Sequence, residues 1–362
     1  MGDSGASVGI ANKMLKLLGE KSVVLVVMLT GLVLSYGGIG TFIIAFSLYP
    51  IAVALFQKAD IPKKLIVATI MVCPVTVCMA MLPGSPSTQN LIPTQYFGTT
   101  AYAGASIGLI CSVIMFVSAY LFLNWQIKKA KAAGEHFVAS PGEDIMDLNA
   151  VDEGKTPSIG ACFAPIVVLL VLMFGIQSLT SIPSSYAVAI AMACAIIVGC
   201  VLYRDRLNVK EAVSNGAGGG LSSLIATSSI MGFGSVVSAS PAYESITTAL
   251  VNMDANPLIT ALISINVIAA ITGSSAGGLN IFLSSMGEYL AASGLNMAML
   301  HRVVCIASSG FDAMPHASGM VVCNQIAKTS QKDTYKYVFI TCAIMPFCCA
   351  ILACIIGTLG IV

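Results

Sequence analysis

The sequence predicts an all-α polytopic membrane protein of two inverted repeats, each with a re-entrant hairpin and a broken transmembrane helix. Three observations lead there. The chain is 57% hydrophobic and 9% charged, with mean hydropathy +0.91, whereas a soluble domain carries roughly 25% charged residues. Uncharged runs at 22–57, 65–127, 156–203, 212–243, 255–287 and 337–362 each exceed the ~18–20 residues that span a bilayer. Matching irregularities also recur in the two halves. None of the runs alternates as a β-barrel strand does, and a net charge of +1 leaves no electrostatic footprint for nucleic acid.

The first repeat, 1–127, opens with "MGDSGASVGIANKMLKLLGEK", an amphipathic helical pattern with no cleavable signal peptide. Run 22–57 carries "SYGGIGT" (35–41) at its centre. Arms 22–34 and 42–57 rise about 20–25 Å at ~1.5 Å per residue, short for a ~30 Å hydrocarbon core, which favours a hairpin that enters and leaves on one face. Two short tilted helices joined by a glycine turn, or one kinked helix, are the alternatives. Segment 65–100 is a helix broken at "MLPGSPSTQN" (81–90), and 103–127 is a plain apolar helix. Residues 128–158 are charged and contain Gly, Pro and Ser, the composition of a solvated cytoplasmic linker.

The second repeat, 159–362, begins with helices at 159–178, 184–203 and 212–240. It continues with a hairpin at 255–293 around "TGSSAGG" (272–278), a helix 301–328 broken at "DAMPHASGMV" (312–321), and a last helix 337–362. About forty residues separate each glycine cluster from its proline break. Placing 22–57 as a hairpin open to the inside puts every basic residue but Arg302 on the cytoplasmic face, and it inverts the second repeat relative to the first.

Irregular backbone at membrane depth is tolerated only where protein or a water-filled cavity covers it. Paired interrupted segments in two halves mark the substrate site of a secondary transporter. The same residues carry a family resemblance. "LPGSPSTQNLIPTQYFGTT" and "HRVVCIASSGFDAMPHASGMV" resemble signature segments of the gluconate permease (GntP) family of carboxylate transporters, within the ion transporter superfamily. "GDSGASVGIANKML" resembles a segment that members carry inside the chain. The resemblance implies a proton-coupled importer of gluconate or a similar hydroxy acid in the cell (inner or plasma) membrane. It implies substrate between two hairpin tips and two broken helices, and it is compatible with a homodimer. It also implies two or three leading helices ahead of Met1, which a comparison of the two halves suggests as well. The first break reads "PGSPSTQN" where the gluconate branch is rich in histidine and proline. That resembles the branch associated with short acids such as 3-hydroxybutyrate.

A carboxylate can be held by half-helix N-termini, through free N–H groups and the helix dipole, with hydroxyl and amide groups fixing its own hydroxyls. The candidates for substrate binding are Ser35, Gly37, Gly38, Thr41, Ser85, Ser87, Thr88, Gln89 and Asn90 in the first half. In the second they are Ser274, Ser275, Gly277, Asn280, Ser308, Ser309, His316 and Ser318. Small residues also let helices pack closely; four clusters in register favour the binding reading.

Asp312 and His316 flank Pro315 within an otherwise uncharged stretch, where an ionisable residue points to function. Spaced i, i+4, they are the candidates for exchanging the coupled proton, with His316 also touching substrate; sodium is the alternative ion. Glu244, Asp254, Glu288 and the His301–Arg302 pair read as solvated helix ends, with Arg302 able to attract anions from outside. The twelve cysteines, without a CxxC or Cys/His pattern, read as small buried hydrophobes. No cofactor, metal cluster or intramembrane-enzyme motif (GxGD, HExxH, GxSxG) is evident. A sodium/proton antiporter or an anion channel of the same fold is the alternative to a cation symporter.

Overall fold

Uncharged runs of this length leave backbone groups no partner but one another. In a computed structural model that describes residues 4–19, 22–141, 143, 145, 157–180, 182–242, 245 and 256–362, every regular element among the described residues is helical. In chain order these are α1 Ala6–Leu18, α2 Val23–Tyr36, α3 Thr41–Lys58, α4 Lys63–Met81, α5 Thr88–Phe97 and α6 Ala105–Ala132. They continue with α7 Ile159–Leu179, α8 Ser184–Leu202, α9 Val209–Ser238, α10 Pro257–Thr272, α11 Ser275–Ala291, α12 Met297–Ser308, α13 Ser318–Ile326 and α14 Gln331–Thr358. Helices α3, α4, α6, α7, α8 and α14 are long and apolar enough to cross a membrane. The chain is a multi-pass membrane protein.

Burial orders these helices. The most apolar stretch of α4 is 83% buried, against 28% for α7 and for α8. Helix α4 therefore runs through the centre, while α7 and α8 pair with each other and turn Val167, Val171, Phe174, Ile190 and Ile197 outward. In α4, Pro74 has no N–H to give its ladder, and Cys73–Met81 widens into π-type turns. Its last turn closes with Leu82 N–H reaching Val77 O at 2.9 Å.

The glycine clusters form tight turns. Helices α2 and α3 pack on each other, as do α10 and α11. Gly38 (φ +79°) and Gly273 (φ +59°) take the left-handed backbone these turns need. A Cβ at Gly278 would lie 2.8 Å from the Ala269 backbone, so glycine sets how closely α10 and α11 approach. Both interrupted helices are present: α4 and α5 flank the break at 82–87, and α12 and α13 flank the break at 309–317. Helix α3, one arm of the expected first hairpin, is itself long enough to cross. Helix α9 forms over the expected third crossing of the second half.

The linker departs from the expectation of a solvated segment. Its first residues extend α6 to Ala132, and residues 135–141 and 143 lie as a strap across the ends of α3, α4 and α13. Lys63 Nζ binds Glu143 at 2.7 Å with both side chains buried, and it also donates to Ser140 Oγ at 2.6 Å. Tyr49 Oη reaches the Glu143 carboxylate and donates to Ala327 O at 2.9 Å. Ser140 Oγ donates to Lys328 O at 2.7 Å. Lys64 pairs with Glu135, and Asp60 with His136 at 2.7 Å. Within the expected linker, residues 142, 144 and 146–156 lie outside the described residues, as do Glu244 and Asp254.

Burial pushes the Glu143 carboxyl up, but Lys63, Tyr49 and the Ser140 amide outweigh it and hold the group below the usual glutamate value. The stability this contributes is fully present above the ordinary glutamate range and is lost as pH falls through the lowered value. Breaking a buried pair from one side costs about 3–5 kcal/mol. Glu143→Gln is therefore expected to speed amide hydrogen exchange over 135–140 by about a hundred-fold. Unchanged exchange in that peptide would show that the pair does not hold the strap.

Candidate functional site

The first break and the second hairpin meet at one polar contact. Ser87 caps α5, its Oγ accepting from Asn90 N–H at 3.3 Å and donating to Met79 O at 2.6 Å. From the next turn, Gln89 Nε2 donates to Ser275 Oγ at 2.7 Å. Ser275 opens α11, and its hydroxyl lies at the Asp312 carboxyl in the second break. Gln89, Ser275 and Asp312 are all buried, and among the described residues Asp312 Oδ1 has no hydrogen-bond partner. A first-half amide is thus bonded to a second-half hydroxyl, and near that hydroxyl lies a buried carboxyl with one unsatisfied oxygen. An orphaned acceptor at this depth is costly and suits a transient partner, a proton or a cation.

Other expected residues gather on the first-half side. Thr41 Oγ1 contacts Met79 Sδ at 3.6 Å, and Gln89 Nε2 lies 4.0 Å from the same sulfur. A Cβ on Gly38 would meet Met192 at 2.9 Å, Leu169 at 3.4 Å and Pro86 at 3.6 Å, so this turn is wedged between α7, α8 and the first break. Gly37 is hemmed in by Ile166. Ser85 is fully buried beside Cys78, and Thr88 is exposed at the α5 N-terminus. Ser274 caps α11 by accepting from Gly277 N–H at 3.1 Å.

Several expected residues direct their polar groups elsewhere. Ser308 donates to Cys305 O, Ser309 to Ile306 O, Asn280 to Ala276 O and Ser35 to Pro74 O. These are carbonyl contacts that satisfy the hydroxyl or amide inside the protein. Asp312 and His316 do not share a face, because residues 309–317 are not helical and the i, i+4 spacing has no meaning there. Asp312 is buried; His316 and Ser318 are exposed, with the His316 ring against Gly273.

The largest departure is His301–Arg302, which sequence reasoning placed at a solvated helix end. Both are fully buried. Arg302 donates to Ala103 O (2.8 Å from Nη2, 3.1 Å from Nε), Ala101 O (3.2 Å) and Met81 O (3.3 Å). His301 bridges Thr99 Oγ1 at 2.7 Å and Asn90 Oδ1 at 3.2 Å, while Asn90 Nδ2 donates to Ser85 O and Ala101 O, each at 2.8 Å. Tyr36 Oη ties down Pro83 O at 2.8 Å. This lattice holds the first break open without helix. Arg302 was signalled by its place within an apolar run, where a cation is expensive. Asn266 had no such signal; its Oδ1 has no hydrogen-bond partner among the described residues and fills the space where Gly310 would carry a Cβ.

No family model matches the chain. It is 30% identical over 373 aligned residues to "Uncharacterized transporter YxjC" of Bacillus subtilis (strain 168), covering 93% of this chain and 79% of that protein. With six apolar helices long enough to cross a membrane among the described residues and a first interrupted helix bonded to the second hairpin through Gln89 and Ser275, the chain belongs to the transporter family that includes YxjC.

Proposed function

We propose that this protein is a secondary active transporter that imports a small hydroxy-carboxylate by cation symport, with the proton as coupling ion and 3-hydroxybutyrate or gluconate as the type of substrate. It is a permease of the cell membrane and no enzyme. The observation that carries the reading is the Gln89–Ser275 hydrogen bond, which links the first break to the second hairpin close to Asp312, a buried acid with one unsatisfied carboxyl oxygen. A proton or sodium ion arriving at Asp312 changes what Ser275 can donate, and Ser275 in turn orients Gln89 toward the substrate. In this reading α2–α3 and α10–α11 are re-entrant hairpins of two inverted repeats, and they move as units during alternating access. The transporter named YxjC supports the general class; the carboxylate and the symport rest on the site and on the resemblance of its motifs.

The test is uptake of labelled hydroxy acids into proteoliposomes under imposed pH or sodium gradients. Accumulation of 3-hydroxybutyrate or gluconate above its equilibrium level, collapsed by a protonophore, is the expected result. Ion exchange or current with no organic acid taken up would replace the symporter with an antiporter or a channel.

A further inference from the structure

Arg302 presents a physical problem. It is fully buried, and among the described residues no carboxylate lies within ion-pair distance of it. Among the described residues its hydrogen bonds all go to carbonyl oxygens, which neutral donors could also have satisfied, and burying a charge costs several kcal/mol more than burying a neutral group. Yet the fold makes room for this side chain. A Cβ at Gly104 would lie 2.5 Å from Arg302 Cβ, and one at Gly108 would lie 3.2 Å from its Cδ and Nε.

The carbonyls it selects indicate what the charge does. Met81 is the last residue of α4, so its oxygen belongs to the unsatisfied carbonyl end of a half-helix, which carries roughly −0.5 of an elementary charge. Across the break, α5 begins at Thr88 and presents the opposite, amide end. An anion in the break would be drawn by one end and repelled by the other. A full positive charge on the Met81 carbonyl more than cancels the repelling end, leaving the break net positive. The second break is built the other way. At its carbonyl end the oxygens of Cys305, Ile306 and Ala307 accept from neutral groups, the Ser308 and Ser309 hydroxyls and the Ser309 and Gly310 amides, and its buried ionisable group is an acid, Asp312.

We propose that Arg302 is a charge-selecting positioning residue that works from behind the first break without touching substrate. The two breaks then divide the labour, with the anion held at the first and the coupling cation at the second. This rests on the carboxylate-transport reading above and adds to it the origin of the preference for a negative charge.

The experiment measures binding to the purified full chain of 3-hydroxybutyrate and of its neutral amide, for the wild type, Arg302→Gln and Arg302→Lys. A unit charge roughly 10 Å away, at an effective dielectric of about 20, shifts anion affinity by about ten-fold or more and leaves a neutral ligand little changed. The expected result is an anion-to-amide affinity ratio that falls about ten-fold in Arg302→Gln and is restored in Arg302→Lys. Equal loss of both ligands in Arg302→Gln would reduce Arg302 to a structural brace and overturn the proposal. Should Arg302→Gln fail to fold, Arg302→Lys decides, since retained discrimination supports the charge and lost discrimination refutes it. A wild type that binds the amide as well as the anion also refutes it. A wild type that binds neither fails the transport reading itself, which uptake detects independently.

Discussion

Asp312→Asn is expected to abolish proton-driven accumulation while leaving substrate exchange intact. The substitution keeps the size and hydrogen-bonding shape of the side chain beside Ser275 but removes its ability to bind and release a proton. A gradient of one pH unit stores about 1.4 kcal/mol per proton, a ten-fold accumulation at one proton per substrate. In the variant that accumulation should fall to the equilibrium level. Counterflow of labelled substrate needs no proton movement and should persist. Accumulation that survives in Asp312→Asn would move the coupling site elsewhere, with exposed His316 the next place to look.

Gly104→Ala is expected to be among the most destabilising single-methyl changes in the protein, and Gly98→Ala supplies its control. Both glycines have φ +61°, so alanine is strained at each by about 1–2 kcal/mol. At Gly98 nothing lies within 4 Å of the added methyl. At Gly104 the methyl would meet Arg302 Cβ at 2.5 Å and the Ala298 carbonyl at 2.7 Å, and the backbone oxygen cannot swing away as a flexible side-chain tip would. Overpacking adds about 1–3 kcal/mol. Thermal unfolding in detergent should place Gly104→Ala well below Gly98→Ala. Equal midpoints would mean that α6 and α12 can separate at no cost.

The helices were legible because an uncharged run in lipid has few options, and both interruptions were legible because proline falls among small polar residues in the middle of an apolar segment. Helix ends were less so. Lys128, Lys129 and Lys131 continue α6 past the expected stop, and Lys332, Asp333 and Lys336 fall inside α14 ahead of the expected start. Charge at the watery end of a helix does not end it, since long basic side chains reach toward the interface while their stems stay packed. Within the site, Gln89, Ser275 and Asp312 were named from type and position. Which hydroxyls face a cavity and which return to their own helix is a matter of rotation about the axis. At Ser308 and Ser309 the neighbouring carbonyls decided that. Arg302 was misplaced for a related reason: its partners lie some two hundred residues earlier, and no local pattern announces them.

One atom in this lattice has a mechanical consequence. The Ala101 carbonyl oxygen accepts from Gly84 N–H at 2.9 Å, Asn90 Nδ2 at 2.8 Å and Arg302 Nη2 at 3.2 Å. It acts as a rivet through three pieces of chain: any shear between the loop after α4, helix α5 and helix α12 forfeits several bonds at a single point. These pieces therefore travel as one rigid block. The seam toward α11, crossed by the Gln89–Ser275 bond, is the softer joint, and a distance label placed across it will record more movement than one placed across Ala101.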